Sequence, residues 1–343
     1  MDRSQTSRPQ APRSSRRRFL GGAAGLALTA AAPAALAQTP SASPAASGWS
    51  FTDDKGVTAT LAETPVRIAA DINAAAPLCD MGIRPVAVFG WNATDTGDFG
   101  AAGGRIDPNA VEVVGNATTP LEVEKLVAVQ PDLIVTLTWA PDDPQDYWSI
   151  DPKILEQARK VAPIVAISAT QRADMAVERF HELALSIDPD AAASEPAEDK
   201  AAYEDASARL QALTAEKNDI AFSFIWAGQD VLYVAVPEAW GDLALFQHLG
   251  VRIISPESPS MVFWDELSWE QALKYPSDVV MNSWRSDIED DALKDLPTFA
   301  QHPAIKAGQI GPWNQDFIMS YKGLAESMES VITALEPAEK VIG

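Results

Sequence analysis

Short runs of apolar, β-branched residues alternate along the chain with segments whose apolar positions recur at helical spacing. Runs at 66–70, 85–89, 132–137 and 163–168 read as buried strands. Between them, 73–81, 121–129 (opened by Thr118-Thr119-Pro120) and 152–160 read as helices. Such alternation predicts βα units around a largely parallel sheet. Residues 191–217 then contain no Gly and a single Pro near their start, and are rich in Ala, Glu, Lys, Gln and Leu, which predicts one long, mostly solvated helix. After it the alternation resumes. Strand-like runs fall at 220–226, 231–236, 251–254, 279–281 and 309–311, with helical segments at 239–249, 266–275 and 323–335. The pattern predicts an α/β fold of two Rossmann-like lobes, 49–190 and 218–343, joined by the helix 191–217. A ligand cleft is expected between the lobes. No internal repeat at a fixed period is present.

The first 37 residues break this pattern. Ser15-Arg16-Arg17-Arg18-Phe19-Leu20 leads into an Ala-rich apolar run from Gly21 to Ala32, and Ala35-Leu36-Ala37 precedes Gln38. The run is too short to span a bilayer core of ~30 Å. Basic, apolar and small-x-small regions in that order read as an export signal, and the arginine pair before Phe-Leu resembles the twin-arginine type. Residues 38–48 are rich in Pro, Ser and Ala and read as a flexible tether. No cysteine lies near the cleavage pattern, so lipid anchoring is not expected. The chain reads as exported to the periplasm or cell surface.

Charge sharpens the picture. The chain of 343 residues carries a net charge of −22, yet six arginines and only Asp2 lie within residues 1–37. The remainder holds 20 basic and 47 acidic residues, a net charge of −27. So acidic a body repels nucleic acid and anionic lipid alike. The single cysteine, Cys79, excludes an intramolecular disulfide, an Fe–S cluster and a multi-Cys zinc site, and reads as a buried helix residue.

In open α/β sheets ligands bind outside the carboxyl ends of the strands. Several strand ends here carry indoles. Gly90-Trp91-Asn92 follows the run 85–89, Thr138-Trp139 the run 132–137, and Trp226 closes 220–225. Trp284-Arg285 follows 279–281, and Pro312-Trp313 follows 309–311. An indole offers a broad apolar face and one donor, suited to gripping a bulky, partly apolar ligand. Arg285 is a candidate for an anionic or oxygen-rich group, or for a surface ion pair with Asp287. Asn92, Tyr233 and Tyr321 complete the candidate ligand-binding set. Catalytic patterns are missing: His181, His248 and His302 are scattered, and no G-x-S-x-G elbow, Walker loop or G-x-G-x-x-G appears. No cofactor, metal site or catalytic residue is expected. A secreted enzyme or an adhesive exoprotein fits these residues less well than a binding module.

A set of short motifs in order resembles one family, the periplasmic binding proteins that feed ferric siderophores and vitamin B12 to ABC importers. Phe51-Thr52-Asp53-Asp54-Lys55-Gly56-Val57-Thr58 opens it, followed by Pro65-Val66-Arg67-Ile68-Ala69 and Met81-Gly82-Ile83-Arg84-Pro85-Val86. Leu121-Glu122-Val123-Glu124-Lys125-Leu126 leading to Gln130-Pro131-Asp132-Leu133-Ile134-Val135 is the most recognisable stretch. Leu249-Gly250-Val251, Leu267-Ser268-Trp269-Glu270-Gln271-Ala272-Leu273 and His302-Pro303-Ala304-Ile305-Lys306-Ala307-Gly308-Gln309-Ile310 follow. The resemblance implies two lobes joined by a long helix, little hinge motion, a monomer, and a small-molecule iron chelate held between the lobes. It also implies that Glu124 and Glu270, one per lobe, dock on arginines of the importer's permease subunits. The scarcity of cations near the indoles favours a neutral or cationic complex such as a ferric hydroxamate over an anionic catecholate; Arg285, and less directly Arg172, are the basic side chains at hand. Haem or a corrinoid is the alternative. The loop 256–263 leads to Trp264, which is placed to enter the cleft.

Overall fold

The computed structural model describes residues 48–343 apart from Asp95. The expected signal peptide, and all of the tether except Gly48, lie outside the described residues. A hairpin of β1 (Trp49–Thr52) and β2 (Thr58–Leu61) opens the first lobe. Its sheet consists of β3 (Ile68–Asp71), β4 (Ala87–Phe89), β5 (Glu112–Val113), β6 (Leu133–Thr138) and β7 (Ile164–Ser168), all parallel, in the order β5-β4-β3-β6-β7. Helices α1 (Ile72–Asp80), α2 (Val123–Val129) and α3 (Pro152–Val161) supply the crossovers. Local chemistry starts two of them: the Asp71 carboxylate accepts from the Asn73 N–H, and that of Asp151 from the Lys153 N–H, ahead of Pro152 at the first helical position. Helix α1 is buried at every residue except Asn73. Cys79 lies within it, and burial pushes its thiol up to about 11, so it is a packing residue.

The chain leaves this sheet through α4 (Ala173–Ile187), α5 (Pro189–Ser194) and α6 (Ala197–Glu216). The single helix expected over 191–217 is thus interrupted. Pro196, which lacks the N–H that would continue α5, instead stands at the N-cap of α6. The second sheet has the order β11-β9-β8-β12-β13, built from β8 (Ala221–Ala227), β9 (Val231–Ala235), β10 (Arg252–Ile253), β11 (Trp264–Ser268), β12 (Val279–Ser283) and β13 (Ile310–Trp313), with β10 pairing β8. Strands β8, β12, β13 and β10 run parallel to one another, while β9 runs antiparallel to both β8 and β11. Helices α7 (Gly241–His248), α8 (Asp290–Leu293), α9 (Pro303–Ala307) and α10 (Tyr321–Leu335) complete the lobe.

One sequence expectation fails here. Residues 266–275 are not a helix: Glu266–Ser268 belong to β11 and Trp269–Gln271 form a single 3-10 turn. The period is two. Asp265 and Leu267 point inward while Glu266 and Ser268 are exposed, and pairing with β9 supplies the backbone partners that a helix would have made locally.

A single apolar core crosses the lobe boundary, joining Leu78 of α1, Val177 and Phe180 of α4, Leu210 of α6, Phe246 of α7 and Met328 of α10. Helices α6 and α10 lie side by side, tied by the Arg209–Glu329 ion pair and by Lys217 Nζ donating to the carbonyls of Leu335, Glu336 and Ala338. At the other end of α10, its N-cap Ser320 donates to Asp80 Oδ2 at the end of α1, 2.6 Å away. Shared core and cross-lobe bonds hold the two sheets in one relative pose.

Candidate functional site

Between the lobes lies a cavity of about 500 Å³, a size and character suited to a small molecule. Its first wall is made by the segments that leave β4 and β6. Gly90 turns the chain at φ +114°, and a Cβ there would stand 2.2 Å from Asp71 Oδ2, so only glycine fits. Trp91, half exposed, and Asn92 come next. Asn92 Nδ2 donates to Asn73 Oδ1 at 3.2 Å, and Asn73 Nδ2 to Asp71 Oδ1 at 3.0 Å, which ties this loop to the start of α1. Burial pushes the Asp71 carboxyl up to about 6.

Trp139 follows β6 and is fixed by one carboxylate. Asp146 Oδ2 accepts from Thr138 Oγ1 at 2.7 Å, from the Trp139 N–H at 2.6 Å and from the Ala140 N–H at 2.7 Å. The indole meets Trp148 edge-on at 5.8 Å and, across the cleft, Phe263 of the second lobe at 5.6 Å. Its Nε1 is buried without a hydrogen-bond partner among the described residues. An orphaned donor in an apolar wall is a group that a ligand oxygen satisfies.

The second wall starts where the lobes touch. A Cβ on Gly241, the first residue of α7, would lie 2.7 Å from the Gln171 carbonyl oxygen, so backbone meets backbone there. Trp240 donates from Nε1 to the Phe263 carbonyl at 3.1 Å, and its ring meets Trp264 at 5.1 Å and Trp313 at 5.3 Å. Asp242 is buried under this cluster and accepts from Trp313 Nε1 at 2.7 Å. Beyond β12, Arg285 donates from Nε and Nη2 to the two oxygens of Asp316, and Trp284 Nε1 donates to the same carboxylate at 2.8 Å. Burial raises the Asp316 carboxyl, with Arg285 pulling against it. Arg285 is the one basic side chain lining the cavity among the described residues, and a carboxylate already holds it.

The cavity thus brings together Trp91, Asn92, Trp139 and Arg285. It does not bring in the other candidates. Trp226 stacks on Tyr233 at 4.9 Å and leans on Trp264, one ring behind the lining. Trp284 is more than half exposed, beside the Arg285–Asp316 pair. Trp313 is buried beneath Trp240 and Trp264. Tyr321 heads α10 and packs on Tyr203 and His181. Arg172 pairs with Asp174 and does not line the cavity. Trp264 enters the cavity, in keeping with its position after the 256–263 loop.

Sequence reasoning did not single out Trp148, Trp240, Phe263, Asp242, Gln315 or Asp316, all of which line the cavity. A survey of the carboxyl ends of parallel strands misses Trp240, which comes after antiparallel β9, and the Phe263-Trp264 pair, which lies at the start of β11. The mistaken helix at 266–275 concealed the pairing of β11 with β9. Glu124 and Glu270 are both exposed, in α2 and in the 3-10 turn after β11, and a bond from Ser268 holds the Glu270 carboxyl below the usual range.

Among the described residues no helix is long and apolar enough to cross a membrane. Comparison with curated proteins gives no match. Among solved structures, DesE, a ferric-siderophore receptor protein from Streptomyces coelicolor, is 33% identical, with a TM-score of 0.76 over 86% of this chain and 100% of its own. FhuD from Vibrio cholerae, solved with Fe3+-Desferal bound, is 16% identical, with a TM-score of 0.60 over 80% of this chain and 99% of its own. VctP, a periplasmic catecholate-siderophore binding protein from Vibrio cholerae, is also 16% identical, with a TM-score of 0.59 over 84% of this chain and 99% of its own. The last two share the fold and differ in the ligand they are named for. Residues 87–316, which run from β4 through both sheets to the Asp316 that closes the cleft, match the periplasmic binding protein family. That match spans more than half of the chain, and the solved relative at 33% identity shares the two-lobed fold: the chain belongs to the periplasmic binding protein family, whose members are transport receptors and not enzymes.

Proposed function

We propose that this protein captures a ferric siderophore of the hydroxamate type outside the cytoplasmic membrane and delivers it to an ABC importer. One observation carries the ligand class. The cavity is walled by Trp91, Trp139, Trp148, Trp240 and Trp264, and its one lining cation is neutralised by Asp316. A ferric tris-hydroxamate is neutral and presents an apolar exterior studded with carbonyl oxygens, which suits indole faces and an unpaired indole N–H. A tris-catecholate complex is strongly anionic and needs free cations that this lining does not offer. The likeness to a ferric-siderophore receptor at 33% identity supports the siderophore part of this reading.

Delivery rests on Glu124 and Glu270. Each is an exposed carboxylate on its own lobe, and two such groups at a fixed separation pair with arginines of a two-subunit permease and set the orientation of docking. The protein acts as a monomer, exported by the signal read in residues 1–37.

The test is intrinsic tryptophan fluorescence of the purified protein, titrated with a ferric trihydroxamate, a ferric tris-catecholate, haem and cobalamin. Saturable quenching by the trihydroxamate at one per chain is expected. A saturable response confined to the catecholate, haem or cobalamin overturns the hydroxamate assignment; no response to any of them overturns the siderophore reading.

A further inference from the structure

The cleft holds a charge that binding of a neutral chelate leaves unused. Asp242, in the first turn of α7, is 1% exposed and lines the cavity. Its Oδ2 accepts from Trp313 Nε1 and the backbone N–H groups of Asp242 and Leu243 at the start of α7 favour its charged form, while Oδ1 makes no hydrogen bond of full geometry among the described residues. No Lys, Arg or His forms an ion pair with it among those residues, and the charged neighbour that bears on it is a second carboxylate, Asp316. Arg285 offers no relief, being held in a bidentate pair by Asp316 itself. Burial pushes the Asp242 carboxyl up to about 6, which leaves it ionised in most molecules at neutral pH. A buried, half-satisfied carboxylate is costly unless a cation or donor completes it.

Its surroundings describe the missing partner. Asp242 is bonded to Trp313, whose ring lies 5.3 Å from Trp240 and 5.9 Å from Trp264, and both of these line the cavity. Indole faces beside a carboxylate attract an alkylammonium group by combined cation–π and ionic attraction, and exclude a carboxylate or catecholate. We infer that Asp242, with Trp240 and Trp264, forms a subsite for an alkylammonium substituent carried by the bound chelate. The inference rests on the siderophore reading and adds to it a selection by charge. The chelate preferred by this cleft is cationic: a neutral ferric hydroxamate core bearing a free terminal amine.

The experiment compares two probes on the purified protein at neutral pH by fluorescence titration: a ferric trihydroxamate with a free terminal amine, and the same complex acetylated at that amine. The free-amine complex is expected to bind about tenfold more tightly. Asp242→Asn, which keeps an acceptor for Trp313, is expected to abolish the difference in affinity between the two probes. Equal binding of the two probes by the unaltered protein overturns the subsite and leaves the hydroxamate reading standing. Failure of both probes to bind overturns both. Retention of the free-amine preference in Asp242→Asn also overturns the subsite. The comparison on the unaltered protein decides the question without the variant.

Discussion

Arg285 grips Asp316 with two parallel bonds, Nε to one carboxylate oxygen at 2.5 Å and Nη2 to the other at 2.8 Å. The pair sits on the cleft wall with its partners satisfied, so the guanidinium contributes shape more than charge. Replacing Asp316 by Asn releases it. We expect Asp316→Asn to raise affinity for a ferric tris-catecholate by about tenfold, through a freed charge-assisted donor, while a neutral trihydroxamate changes by less than about threefold. Parallel titrations of the two chelates measure the difference.

The Trp139 indole reaches from the first lobe across the cleft to Phe263 of the second. Trp139→Ala removes a central aromatic contact and should weaken the ligand by about 30-fold or more. Trp139→Phe keeps the ring and loses the N–H, and should cost about fivefold. Trp226→Ala and Trp284→Ala, outside the lining, should each change affinity by less than about threefold. Calorimetric titration of the four variants orders these effects.

The Asp71 carboxyl, lifted to about 6 by burial from the 3.8 of an exposed aspartate, makes folding sensitive to pH with a definite sign. The folded state holds its proton more tightly than the unfolded state, so the contribution is fully favourable below about 4 and is lost as pH rises through about 6. The full excursion is about 3 kcal/mol. Asp71→Asn retains an acceptor for the Asn73 N–H and removes the titration. The variant should gain roughly 1–2 kcal/mol over the parent at pH 7.5 and nothing at pH 4, read as the difference between urea midpoints at the two pH values.

Gly90→Ala places a methyl group 2.2 Å from the same carboxylate, at a backbone angle alanine adopts poorly. Destabilisation of about 3 kcal/mol is expected, with an unchanged urea m-value.

Glu124→Ala and Glu270→Ala test delivery separately from capture. Each is exposed and remote from the lining, so ligand affinity should stay within about twofold. Ligand uptake by cells carrying the double variant should fall by about tenfold or more, as expected when charge-assisted docking pairs are lost from both lobes.

Much of the architecture was legible because parallel strands are buried on both faces. The runs that became β3, β4, β6, β7, β8 and β12 are dominated by apolar residues, Val, Ile, Leu, Ala and Phe foremost, with no apolar–polar alternation. Their carboxyl ends pointed to Trp91, Asn92, Trp139 and Arg285 without any knowledge of the fold. Antiparallel β11 was not legible. Its half-exposed alternation is short, and Glu, Ser, Gln and Ala after it resemble a helix start to any local rule. Pairing with β9, set by chain closure over some thirty residues of sequence, decided it.

The sequence by itself determined the class of fold, the acidic body and the wealth of indoles, because each of these follows from periodicity or composition, and it carried the ordered motifs on which the family resemblance rests. Tertiary structure alone decided which indoles line the cavity. Trp226 and Trp313 have the same chemistry as Trp139 and Trp264, but one layer of packing separates them from the cavity. It also decided the charge of the cleft. Arg285 and Asp316 are 31 residues apart, and Asp242 and Trp313 are 71 apart. Whether a guanidinium is free or a carboxylate half-satisfied depends on partners that only the folded chain brings within 3 Å.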